Sequence, residues 1–185
     1  LPSIRVELDN TDIDHVLTQV NLSFRWKINI PTVAELWPGV NDGQLIVGAA
    51  RPNTGKTSSL AYLISGPEGF IDQGARVLIL ANEEASSRVT SRHMSAATTL
   101  SIAEIKDRRN VPFVNLRIGS DSKWQENFMI TDATTWDVDH MEAVVKQIKP
   151  DIVVCDMADK FLPGGTYTAA HEALKAAYIR FRVIG

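Results

Sequence analysis

Ala50-Arg51-Pro52-Asn53-Thr54-Gly55-Lys56-Thr57 matches the phosphate-loop pattern G-x-x-x-x-G-K-[ST] at every defined position but the first, where alanine replaces glycine. The chemistry of such a loop follows from its backbone. Successive N–H groups around Asn53 to Thr57 form an anion-binding nest at the positive end of the helix that follows. Gly55 lets the main chain curl closely around a phosphate, and Arg51, Asn53, Thr54 and Ser58 line or flank the same turn. Lys56 is placed to neutralise β- and γ-phosphates, and the Thr57 hydroxyl to ligate Mg²⁺. A chance glycine turn before a helix is the bland alternative, and a strand–loop–helix setting argues against it. The pattern points to ATP binding without saying what the energy is used for.

Two acidic positions are candidates to complete the chemistry. Asp156 follows the apolar run Ile152-Val153-Val154-Cys155, the place of a strand-end carboxylate that holds Mg²⁺ through its water shell. Its ordinary alternative is an aspartate capping a turn. The run from Arg76 to Ala81 leads into Asn82-Glu83-Glu84, which puts carboxylates at the carboxyl end of a strand, beside the crevice where α/β sheets bind ligands. A glutamate there orients or deprotonates an attacking water. Glu83 lies nearer the strand end and is the preferred base, with Lys56 as its catalytic partner on the phosphates. Glu84 suits the start of the next helix and its dipole. Both acids as helix-start residues is the competing reading.

The elements that must position these groups are legible from periodicity. Gln44 to Ala50 (QLIVGAA), Arg76 to Ala81 (RVLILA), Asn127 to Asp132 (NFMITD) and Asp151 to Cys155 (DIVVC) read as short, buried strands. Helices are expected from Thr57 to about Ser65, from near Glu84, from Asp137 to Lys149 with Asp137 as cap, and from Ala169 to Phe181. Strands apolar throughout and separated by helices imply an α/β fold, a mostly parallel sheet covered on both faces. Val183-Ile184-Gly185 looks like the start of a further strand with no turn before it. Residues 1–40 read as an N-terminal strap, with a short helix from Asp12 to Val20 and another ending near Pro38-Gly39; residues 41–185 read as the core.

Composition narrows the function classes. The 185 residues suit one domain, and 44% apolar with 22% charged residues gives a real core, not a disordered chain. No stretch approaches the ~20 apolar residues of a membrane span, and no signal peptide is visible. Cys155 is the only cysteine, which excludes an internal disulfide framework and fits a reducing, cytoplasmic compartment. Four histidines without cysteine partners argue against structural zinc. With a net charge of −3, nucleic-acid binding would have to come from a local basic surface.

Taken together, the loop Ala50–Thr57, the acids of Asn82-Glu83-Glu84 and the run Asp156-Met157-Ala158-Asp159-Lys160 resemble the RecA-like core of replicative hexameric DNA helicases, the DnaB family and the phage primase-helicases. The approach Phe24-Arg25-Trp26-Lys27 with Gly43-Gln44 is similar to that of the phage proteins. The likeness spans roughly residues 24 to 185 and is weakest between Thr98 and Gln125. It implies a RecA-like P-loop ATPase that hydrolyses ATP with Mg²⁺, works as a homo-hexamer or other ring with ATP between subunits, and moves along single-stranded DNA to separate the duplex. It also implies the cytoplasm of a host cell as the place of work. A sensor strand and an arginine finger are expected beyond Gly185. Other functions remain open: a recombinase or regulatory ATPase that does not unwind, or a non-catalytic nucleotide-binding fragment.

In that family the loop after the Mg²⁺-holding acid faces the channel. Here it is Lys160-Phe161-Leu162-Pro163-Gly164-Gly165-Thr166-Tyr167, in which Lys160 and Tyr167 are the DNA-binding candidates. A solvent loop with Phe161 packed inward is an equal alternative. Arg88, Arg92 and His93 read as a solvated or subunit-contacting face, Trp124 and Trp136 as core or interface anchors, and Cys155 as a small buried hydrophobe.

Overall fold

The computed structural model describes residues 24–51, 54–161 and 170–184; the helix expected over Asp12–Val20 lies outside them. Trp26–Lys27 (β1) pairs antiparallel with Gly39–Val40 (β2), and Pro31–Ala34 (α1) forms one helical turn between them. Pro31 opens that turn because its fixed φ and missing N–H suit a first helical position. Gly39 is required by close approach: a Cβ there would lie 2.4 Å from the Phe24 side chain and 2.6 Å from the Trp26 carbonyl.

The remaining elements alternate. In order they are Lys56–Ser65 (α2), Val77–Ala81 (β3), Ser86–Thr98 (α3), Ile102–Ile105 (α4), Val111–Ile118 (α5), Lys123–Asn127 (α6), Phe128–Asp132 (β4), Val138–Ile148 (α7), Ile152–Asp156 (β5) and Ala170–Ile184 (α8). β3 is central, with β4 and β5 parallel to it on either side. Its five residues are all buried, as a strand covered on both faces must be. Val77, Ile79 and Ala81 enter a cluster with Ile64 of α2 and Val89 and Ala97 of α3. Leu78 and Leu80 point the other way, into Val138, Met141 and Val145 of α7, Ala177 of α8 and Phe161. That period-2 division makes the sheet the middle layer of an α/β sandwich. Each fully buried Leu or Ile contributes ~1.5–3 kcal/mol by leaving water. Helix α7 starts as expected, with the Asp137 carboxylate accepting a hydrogen bond from His140 N at 2.8 Å.

Three local expectations are corrected. Gln44–Ala50 is not a strand: it forms no ladder, and Leu45, Ile46 and Val47 are 43%, 49% and 60% exposed. Both edges of β3 are taken by β4 and β5, and the segment pairs with the outer edge of neither. Val183-Ile184 belongs to α8, which runs on past Phe181 because nothing before Gly185 breaks it. Helix α3 begins at Ser86, two residues after Glu84. Where the sequence left a blank between α3 and β4, three short helices pack. One of them, α4, carries a capping box in which Ser101 N donates to Glu104 Oε2 at 2.8 Å and Glu104 N to Ser101 Oγ at 3.3 Å.

Candidate nucleotide-binding and hydrolytic site

The phosphate loop closes on Gly55, whose φ of 90° and ψ of 15° lie in the left-handed region that favours glycine. The hydroxyl of Thr54 donates to the Arg51 carbonyl at 2.7 Å, pinning the turn before it. Lys56 then opens α2. No side chain caps this helix and no acid sits in its first turn, so its leading N–H groups are free of any carboxylate that would compete with an anionic ligand. Arg51, Thr54 and Ser58 are exposed and Thr57 is half-buried, while Asn53 lies outside the described residues.

Across the loop stands β5. The parallel register sets Asp156 opposite Ala81, so the acids beyond β3 and the acid ending β5 share one end of the sheet. Asp156 is 4% exposed, and a carboxylate so buried needs a counter-charge. Lys56 supplies it, with Nζ 3.6 Å from Oδ1 of Asp156 and 3.3 Å from the sulfur of Met157. The structure therefore joins loop and strand end through their two principal charges.

The tips of β3 and β5 are tied to each other as well. Asn82 Nδ2 donates to the carbonyl of Met157 at 3.1 Å. Met157 has a φ of 73°, a left-handed conformation costing a non-glycine residue ~1–2 kcal/mol. Lys160 Nζ reaches the Asn82 carbonyl at 3.4 Å, so this lysine is turned toward the strand tips. Phe161 is wholly buried, and Tyr167 lies outside the described residues. Asn82 is 5% exposed, and its side-chain oxygen has no hydrogen-bond partner among the described residues. An orphaned buried acceptor beside Lys56 and Asp156 fits a polar, hydrated ligand at this end of the sheet.

The two glutamates separate clearly. Glu83 is exposed and has no ion pair among the described residues. Glu84 is gripped by Arg92, with Nη1 2.8 Å from Oε2 and Nη2 3.0 Å from Oε1. That contact, helped by the nearby charge of Arg88, holds the Glu84 carboxyl below its ordinary value. Arg92 therefore belongs to the acidic tip and not to a solvated face. His93 is corrected too: it is 1% exposed, with Nδ1 2.8 Å from Ser65 Oγ. Asn82 and Arg92 are the residues that sequence reasoning missed. Asn82 had a signal in its place next to Glu83, whereas the reach of Arg92 over two helical turns had none.

The chain matches the AAA domain family over residues 15–184 and belongs to it. No curated protein matches it. Family and fold together make this a P-loop ATPase core, an α/β unit of RecA-like type built to bind nucleotide. No helix among the described residues is long and apolar enough to cross a membrane.

Proposed function

We propose that this chain is the ATP-hydrolysing motor domain of a phage-like replicative DNA helicase, a ring of six or so copies that couples turnover to movement along single-stranded DNA. The observation that carries the catalytic half is the juxtaposition of Lys56 and Asp156, 3.6 Å apart, at the end of the strand neighbouring that of Glu83. The DNA-directed half rests on the resemblance of the loop Ala50–Thr57, Asn82-Glu83-Glu84 and the Asp156–Lys160 run to that family.

The loop N–H groups and Lys56 would hold the phosphates, with Arg51, Thr54 and Ser58 at its rim. Thr57 and Asp156, the latter through water, would hold Mg²⁺, which when bound supplies charge neutralisation on the phosphate oxygens. Glu83 orients the attacking water and takes its proton, a role open to the one carboxylate of the pair without a cationic partner. Lys160 and Tyr167 are the proposed DNA contacts.

ATP turnover with and without single-stranded DNA tests this. DNA is expected to raise the rate several-fold; an unchanged rate would favour a RecA-like ATPase that does not unwind. Lys56→Ala should abolish binding of a fluorescent ATP analogue. Glu83→Gln should keep binding and lose ~10²-fold or more in turnover. Should Glu84→Gln alone give that defect, the base is Glu84.

A further inference from the structure

We infer that Arg92 is a positioning residue of the hydrolytic site: by gripping Glu84 it fixes the acidic tip beyond β3 and leaves Glu83 as the free carboxylate. This rests on the proposed ATPase reading. Two adjacent glutamates at a strand end repel each other and Asp156, and a tip carrying them has no inherent preference for which one faces the ligand. Arg92 removes the degeneracy with one hydrogen bond, Nη2 to Oε1 at 3.0 Å, and one close charge contact, Nη1 to Oε2 at 2.8 Å, that lacks hydrogen-bond geometry. Both side chains are about one-third exposed, 35% and 32%, so the pair is sheltered from full solvent screening. The guanidinium also feels the charges of Asp156 and Glu83, after the larger effect of Glu84 itself.

The anchor is firm because α3 is. Val89 and His93 on either side of Arg92 are each 1% exposed and packed beneath the sheet, so the helix cannot rotate without exposing them. Lys56 already faces Asp156, which leaves Arg92 as the cation in direct contact with Glu84. A lysine at the same place would keep the charge but lose the fork.

The test compares Arg92→Ala, Arg92→Lys, Arg92→Glu, Glu84→Arg and the charge-swapped double variant, each checked for fold by circular dichroism. Arg92→Ala is expected to lower kcat ~10-fold or more while the affinity for a fluorescent ATP analogue stays within about twofold. Arg92→Lys should recover part of the loss. The swapped pair Glu84→Arg with Arg92→Glu should turn over ATP faster than either reversed single variant, because it rebuilds the contact. If Arg92→Ala does not fold, Arg92→Lys and the swap decide. Wild-type turnover with kcat untouched in the Arg92 variants, or a folded swap no better than its singles, overturns the assignment alone. A wild-type chain that binds and turns over no ATP overturns the parent reading and this one with it.

Discussion

At the scale of single residues, burial dictates protonation at two places away from the phosphate loop. The Trp124 indole N–H donates to Ser65 Oγ at 3.1 Å, and the same hydroxyl shares a hydrogen bond with Nδ1 of His93, 2.8 Å away. Burial holds His93 neutral, pushing its pKa down to about 4 from 6.5. The unfolded chain takes up that proton near pH 6.5 and the folded chain only near 4. The associated stability is complete above pH 6.5 and is lost as pH falls toward 4, by ~2 kcal/mol at pH 5 and ~3 kcal/mol in all. Urea midpoints at pH 7 and 5 should show this slope in the wild type and a shallower one in His93→Gln. Desolvation also raises the Cys155 thiol to about 12, although the residue is half-buried, packed against the core cluster and not enclosed by it, so the reading of it as a buried hydrophobe holds only in part.

At the scale of elements, the working geometry is the alignment of two strand tips. Asn82 holds it, since its amide N–H fixes the Met157 carbonyl and so the turn that follows Asp156. Asn82→Ala should cost ~1–3 kcal/mol and reduce turnover more than nucleotide affinity, as read from thermal melts, kcat and a binding titration. Much at this scale could be read in advance. Strands β3, β4 and β5 and helix α7 announced themselves because runs such as VLIL and the spacing of Val138, Met141 and Val145 fit one period each. Lys56 and Asp156 were legible because loop and strand-end patterns are short-range. Gln44–Ala50 was misread because apolar content identifies a segment fit for a sheet but not the edge it would pair with. Arg92 and His93 were grouped as one face although consecutive helical positions differ by about 100°, so one meets Glu84 and the other the core.

At the scale of the whole molecule, the core lies where β3 is sandwiched, and it does not extend to the approach to the phosphate loop. Two substitutions of identical chemistry should therefore diverge. Ile79→Thr, at a site 1% exposed, removes packing and buries a hydroxyl, costing ~2 kcal/mol or more. Ile46→Thr, at a site 49% exposed, should stay within ~0.5 kcal/mol. Differential scanning calorimetry distinguishes the two. Arg25 adds a consequence of its own. It grips Asp42 at 2.5 Å and Asp151 at 2.6 Å, while Lys56 meets Asp156 at the far end of β5. Residues 42 to 56 are thus moored at both ends of one strand only ~17 Å long, although their contour could span ~45 Å. The tie at Arg25 does not involve Lys56, so a ligand that draws Lys56 away from Asp156 would leave Asp42 still fastened to the start of β5.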